Sequence, residues 1–85
     1  MIIENYKHIG KGSVIGKFDI QFEKWGITVR DCVVMEGKNG RWINFPSRSY
    51  EKDGEKKWFS YVVPTKELKE KLIPAILDAL YVHIP

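Results

Sequence analysis

The residues of this sequence most able to do chemistry are aromatic rings that stand beside lysines and arginines. Trp58, Phe59 and Tyr61 lie within four consecutive positions, directly after Lys56 and Lys57. Unpaired bases stack on aromatic faces, and basic side chains pair with phosphates. This chemistry predicts binding to single-stranded nucleic acid. The candidate contacts across the chain are Lys17, Arg30, Lys38, Arg41, Trp42, Arg48, Lys56, Lys57, Trp58 and Tyr61.

Large rings also dominate protein cores, so each of these aromatics has a competing structural explanation. We favour Trp42 and Trp58 as exposed rings, because Ile43 and Phe59, their neighbours on the other side of each strand, can fill the core. Ser47, Arg48 and Ser49 together could cradle a phosphate, although a solvated loop would have the same composition.

Positive charge is concentrated in one part of the chain. The formal net charge is +3 and the pI is about 9.0. Residues 38–57 hold six basic and three acidic side chains, so this stretch carries the whole net excess. A localised basic stretch favours an anionic partner.

Catalysis is not predicted. The candidate carboxylates alternate along two predicted strands instead of converging, as a metal-dependent nuclease would require, and they are Asp19, Glu23, Asp31 and Glu36. His8 and His83 lie near opposite ends and Cys32 lies far from both, so neither a nucleophile–base pair nor a tetrahedral metal site is indicated. We expect a non-enzymatic protein without metal or cofactor.

A single domain is expected over residues 1–85. Cys32 is the only cysteine, which excludes an intrachain disulfide and fits a reducing compartment, and no apolar run is long enough for a membrane span. We therefore expect a cytoplasmic protein. A chain this short buries a modest fraction of its surface, which favours oligomerisation.

The predicted fold class is α+β, with a four-stranded curved antiparallel sheet followed by one C-terminal helix. Residues 1–12 are expected to be a loose lead-in, and residues 13–63 to form the sheet. Alternation and β-branched or aromatic content place the strands at residues 14–25, 27–35, 41–45 and 56–63. Turn signals separate them at Gly26 and Asn39-Gly40, and a polar loop over residues 47–55 surrounds Asp53-Gly54.

The helix is predicted over residues 65–82, with Thr65 as its N-cap. Its apolar arc is wider than one sheet requires, so we expect a homodimer that forms through the helix. The predicted interface residues are Leu72, Ile73, Ile76, Leu77 and Leu80. Pro74 cannot donate to the carbonyl of Glu70, which predicts a kink or a break.

Several blocks of sequence carry a family resemblance. The turn from Gly37 to Gly40, the block Pro46-Ser47-Arg48 and the later block Asp53-Gly54-Glu55 resemble the pattern of the SpoVG septation-protein family. Strand order, length and the C-terminal helix also resemble bacterial and phage relatives of the eukaryotic transcriptional coactivator positive cofactor four. The likeness covers residues 12–80 approximately.

The resemblance to positive cofactor four implies a dimer that binds single-stranded DNA along paired sheets. It would place basic and aromatic contacts at Lys17, Arg30, Arg41, Trp42 and the strand around Trp58. The Ser-rich regulatory tail of the eukaryotic members has no counterpart here. The strand around Trp58 is more aromatic than in SpoVG and Pro74 interrupts the helix, so a septation role is not carried over.

We therefore predict a homodimeric single-stranded DNA-binding protein with little sequence preference, accessory to replication, recombination or transcription in a bacterium or phage. RNA is left open as a further ligand. One alternative is a SpoVG-like regulator that reads particular DNA or RNA sites. A second is a protein-interaction module whose exposed rings contact a polymerase or recombinase.

Overall fold

A computed structural model describes all 85 residues. The chain contains six strands and one helix. They are β1 (Ile2–Lys11), β2 (Val14–Phe22), β3 (Ile27–Gly37), β4 (Gly40–Asn44), β5 (Ser47–Lys52), β6 (Glu55–Ser60) and α1 (Lys66–Leu80). Strands β1 to β4 form one antiparallel sheet in sequence order, and β5 and β6 form a separate antiparallel pair. The fold is α+β, as the sequence predicts. The length and composition of α1 do not suit a membrane span.

The core lies between one face of the four-stranded sheet and the helix. Alternate residues of β2 point to the same side, so Phe18 and Ile20 are both buried, and their neighbours on β3 include Cys32. Ile76 and Leu80 of α1 close the core from the other side with no exposed surface. We refer to β1–β4 together with α1 as the body.

The first strand corrects the expectation of a loose lead-in over residues 1–12. β1 pairs with β2 along nearly its whole length, with Ile3 opposite Ile20 and His8 opposite Gly16. Its register shifts twice, and Asn5 and Gly10 both have positive φ. These irregularities interrupt the two-residue period, and for that reason the sequence does not read as a strand.

The fourth predicted strand does not belong to the main sheet. Residues 56–63 were expected to extend it, but β6 pairs only with β5, and β1 takes the fourth place. The polar loop predicted over residues 47–55 is therefore β5 and a two-residue turn. Asp53 and Gly54 form that turn with φ values of 54° and 78°, the left-handed conformation that a tight hairpin needs.

The helix begins where the sequence predicts and ends two residues earlier. The Thr65 side chain accepts a hydrogen bond from the Leu68 N–H at 3.2 Å, which confirms the N-cap. Of the predicted kink or break at Pro74, the break does not occur, because α1 continues through this residue as one element. Proline removes one backbone donor there, and the surrounding turns hold the helix together by packing on the core.

Candidate nucleic-acid interface

The hairpin formed by β5 and β6 is exposed to solvent on both faces. Every residue of its two strands is exposed. At the base of the hairpin, the Tyr61 N–H donates to the Pro46 carbonyl at 3.0 Å, which holds together the two segments that lead from the hairpin to the body. An isolated two-stranded hairpin is marginally stable in water, so exposed rings on this one contribute little to holding the fold together.

Strand register divides the hairpin into two faces. Arg48 lies opposite Phe59 and Tyr50 lies opposite Lys57, and side chains alternate between faces from there. The first set, which we call the outer face, comprises Arg48, Tyr50, Lys52, Glu55, Lys57 and Phe59, and Tyr61 continues it. The second set, the cleft face, comprises Ser47, Ser49, Glu51, Lys56, Trp58 and Ser60.

The outer face brings rings and cations into direct contact. The Arg48 guanidinium carbon lies 5.6 Å from the centroid of the Phe59 ring. Phe59 and Tyr61 meet edge to face with centroids 5.7 Å apart, and their side chains are 50% and 59% exposed. An open ring with a cation held beside it can stack on a base while the cation meets the adjoining phosphate.

The cleft face carries one large ring. Lys56 Nζ lies 5.1 Å from the centroid of the Trp58 ring, and Trp58 as a residue is 63% exposed. Trp58, Ser47 and Ser60 line a cleft between the hairpin and the body, and no outer-face residue from Arg48 to Phe59 lines it. The two faces of one hairpin thus offer different surfaces, one open and one recessed.

The cations of the hairpin are not used within the protein. The two ion pairs of the molecule join the N-terminal ammonium to Glu23 and Arg41 to Glu36, both at 2.8 Å. Neither involves Arg48, Lys56 or Lys57. These three charges are therefore available for an anionic ligand, and no internal ion pair has to break first.

A second group of predicted contacts lies on the sheet, away from the hairpin. Lys17 sits opposite Lys7 and Val33 on the face that the helix does not cover, and Trp42 lies opposite Met35 on the same face. The Trp42 ring packs against Gly37, where an added Cβ would come within 2.9 Å of the indole. Its exposure of 40% therefore leaves only part of the ring for stacking.

Arg41 and Trp42, both predicted contacts, lie on opposite faces of the sheet. Neighbouring strand residues point to opposite faces, so Arg41 lies on the helix side, where its Nε donates to Glu36. Arg30 is exposed beside the bulge at Asp31, and Lys38 lies in the β3–β4 turn. The ten predicted contacts are thus divided between the hairpin and the body.

A comparison with known proteins identifies the family. The chain is 34% identical over 74 residues to a protein of Archaeoglobus fulgidus that carries the name septation protein SpoVG, and the match covers 87% of this chain and 84% of that one. The chain belongs to the SpoVG family. No family model and no solved structure matches it. The likeness to positive cofactor four is not supported by any of these comparisons.

The SpoVG-like blocks of the sequence frame the hairpin. Pro46-Ser47-Arg48 stands at its base, and Asp53-Gly54-Glu55 forms its tip. The match spans 74 of the 85 residues, so at most 11 residues lie outside it. Residues 47–60 are more than 11 residues from either end of the chain and therefore lie within the match. The hairpin therefore lies within the part of the chain that is similar to SpoVG.

Two rings of the outer face, Phe59 and Tyr50, are absent from the contacts predicted from the sequence. Phe59 was expected in the core, but it is half exposed, whereas Ile43 is buried as predicted. Tyr50 was placed in a loop and given no role, although it lies opposite Lys57. The Asp53-Gly54 signal could have revealed both, because a two-residue turn there pairs residues 47–52 with residues 55–60.

The predicted dimer residues lie in or against the core of a single chain. Ile76 and Leu80 have no exposed surface, and Leu72, Ile73 and Leu77 are partly buried against the same cluster. Ile76 and Leu80 therefore pack within a single chain, and the homodimer stays a prediction.

Burial also governs the one cysteine. Burial, with smaller effects from the Asp19 and Asp31 carboxylates, raises the pKa of the Cys32 thiol from its ordinary value of 9.0 to about 12. A thiol that stays protonated in the core is a poor nucleophile. Cys32 therefore serves packing.

Proposed function

We propose that this SpoVG-family protein is a nucleic-acid-binding regulator that holds an unpaired strand on the outer face of its hairpin. The observation that carries the proposal is the open row of Phe59, Tyr61 and Tyr50 with Arg48 and Lys57 beside it. These rings are exposed on a hairpin whose strand residues are not buried, so they do not serve a core. Binding a ligand is the simplest explanation for them.

The binding mechanism combines two contributions. Each base that stacks on a ring contributes about 1–3 kcal/mol and does so for any base, which gives tolerance of sequence. Arg48 and Lys57 release counterions from the phosphates, so affinity falls as salt rises. A duplex hides the faces of its bases, so this surface should favour single strands. The role is one of binding, with no reaction assigned to any residue.

Insertion into duplex DNA is the second candidate. The hairpin is free on both faces, and a two-stranded β-ribbon fits the major groove. Lys56 and Lys57 lie on opposite faces of that ribbon, where they could reach phosphates on both sides of the groove. This alternative would suit a regulator that reads particular sites.

Fluorescence anisotropy separates the two candidates. A labelled single-stranded oligonucleotide, its duplex and the matching RNA are titrated with the protein at about 50 and 200 mM salt. Our proposal expects the single strand to bind more tightly than the duplex, with affinity that drops at higher salt. Tighter binding to the duplex would support groove insertion. No binding to any of them would contradict both and favour a protein partner for the rings.

Charge variants locate the binding surface. Arg48→Gln and Lys57→Gln should each weaken binding, and each should reduce the salt slope for the single strand by about 0.7. Lys24→Gln removes an equal charge from the β2–β3 turn of the body and should have little effect. Equal losses for all three would show that net charge, and not the outer face, determines affinity.

A further inference from the structure

The cleft between the hairpin and the body has a volume of about 390 Å³. That volume lies within the range of about 300–1,000 Å³ that is usual for small-molecule sites. Its lining residues are Ile43, Asn44, Phe45, Ser47, Trp58, Ser60, Val62, Val63 and Lys69. We propose that this cleft is a nucleotide subsite that takes one unpaired base, with its phosphate toward Lys69. The inference rests on the proposed function and adds a second, recessed contact to the open outer face.

The walls of the cleft suit a flat heteroaromatic ring. Trp58, an exposed residue, lines the hairpin side of the cleft. Ile43, Phe45 and Val63 supply apolar surface from the body and from the segment that leads to the helix. A base that enters between them would stack on the indole and remove its second face from water, which is how proteins hold a base outside its stack.

Polar groups in the cleft are free to recognise the edge of the base. Ser47 and Ser60 lie directly opposite each other across the hairpin, and neither hydroxyl is hydrogen-bonded to another protein group. Asn44 also lines the cleft, but its amide donates to Met35 Sδ at 2.8 Å on the sheet face that α1 does not cover, so we assign its side chain no contact with the base. Each of the two hydroxyls can donate and accept a hydrogen bond at the edge of a nucleobase.

A single positive charge in the cleft indicates that the ligand also carries a phosphate. Lys69 is the only charged residue among the nine that line the cleft, and it takes part in no ion pair. Without a lining carboxylate, the cleft has nothing to repel a phosphate. A neutral apolar ligand or a cationic peptide would leave this lysine unpaired, so the charge favours a nucleotide.

Tryptophan fluorescence tests the cleft without relying on oligonucleotide binding. In a Trp25→Phe/Trp42→Phe background, Trp58 is the only indole of the chain. Circular dichroism confirms that this background is folded before use. We expect millimolar adenosine or cytidine monophosphate to quench Trp58 saturably, whereas inorganic phosphate alone should not.

Matched variants tie the signal to the cleft. Ser60→Val removes a lining hydroxyl, and Ser49→Val makes the same change on the same face outside the cleft. The first should weaken mononucleotide binding roughly twofold to tenfold, as expected for one lost hydrogen bond, and the second should not. Lys69→Gln should weaken the monophosphate but not the nucleoside, with Lys66→Gln on the same helix as its control.

Each outcome bears on the proposal separately from the outer face. Oligonucleotide binding without quenching of Trp58 by mononucleotides would overturn the subsite and leave the proposed function standing. Quenching that Ser60→Val weakens, without oligonucleotide binding, would establish the subsite and refute the outer-face mechanism. Light scattering provides a further test. If the protein is a dimer that Trp58→Ala dissociates and Trp25→Ala does not, the cleft is occupied by a second copy of the chain and the proposal is overturned.

Discussion

The body buries its large apolar side chains, whereas the hairpin exposes them. In the body, Phe18, Ile20, Ile76 and Leu80 are almost completely buried between sheet and helix. In the hairpin, no strand residue is buried, although it contains two of the largest side chains of the protein, Trp58 and Phe59. Stability therefore comes from the body, and the exposed rings of the hairpin are the surface that we propose for a ligand.

Charge follows the same division. Both ion pairs of the protein have their two partners in the body, whereas the basic residues of the hairpin have none. Exposure alone does not distinguish the regions, because Trp25 in the body is 61% exposed, close to the 63% of Trp58. The difference is context: Trp25 packs on Phe22, while Trp58 has a lysine over its ring.

The largest expected effect concerns the core of the body. Ile76→Ala should lower the free energy of unfolding by about 2–5 kcal/mol, because it leaves a cavity where helix and sheet meet. Urea denaturation measures the loss. If that variant does not fold, Ile76→Val should cost about 0.5–1.5 kcal/mol. Leu68→Ala, on the exposed part of the same helix, should cost clearly less, and equal losses would contradict a core at Ile76.

The next effect concerns the hairpin and should leave stability unchanged. Phe59→Ala should weaken single-strand binding by about 1–3 kcal/mol, or roughly fivefold to 150-fold in Kd, because one stacking surface is lost. Its unfolding free energy should stay within about 0.5 kcal/mol of the wild type. Trp25→Ala is the control, since it removes a similarly exposed ring from the body. If both variants bind equally well, the outer face is not the interface.

The third effect is a loss of stability of the body at alkaline pH, caused by Cys32 in its core. Burial holds the pKa of Cys32 at about 12 in the folded chain, against 9.0 when exposed, so the unfolded chain loses this proton first. The stabilisation is complete below pH 9 and is lost as pH rises toward 12. By pH 10 the loss should reach about 1.4 kcal/mol.

A cysteine variant isolates that contribution. Tyrosines and lysines also titrate above pH 9, so the measurement is the difference between the wild type and Cys32→Ala in urea denaturation at pH 8 and pH 10. The wild type should lose more stability than the variant. Parallel losses would show that Cys32 does not carry the alkaline sensitivity.

The sequence predicted those parts of the fold whose signals are local. Thr65 before an apolar run defines the start of the helix, and the alternation around Phe18 and Ile20 defines β2. Asp53-Gly54 was recognised as a turn, yet the hairpin it closes was not, because β5 is polar on both faces and shows no apolar alternation.

Pairing partners were harder to predict than the elements themselves. Whether residues 56–63 join the main sheet depends on β1, and the bulges of β1 conceal it in the sequence. The error carried over to the site: placing this strand in the sheet put Phe59 in the core and grouped Trp58 with Trp42. The candidate binding residues could be named from the sequence, but which of them share a face depends on the strand register.

The smallest effect lies at the junction of the two regions, where Pro64 and Thr65 connect the hairpin to the helix. Thr65→Ala removes the hydrogen bond that its hydroxyl accepts from Leu68 N–H, which should cost about 1 kcal/mol of stability in urea denaturation. Thr65→Ser keeps an acceptor and should retain most of it. Because the cap acts on the body alone, single-strand affinity should not change in either variant at temperatures where both are folded. A loss of affinity in folded Thr65→Ala would mean that the helix start also positions the hairpin, and the two regions would then not be independent.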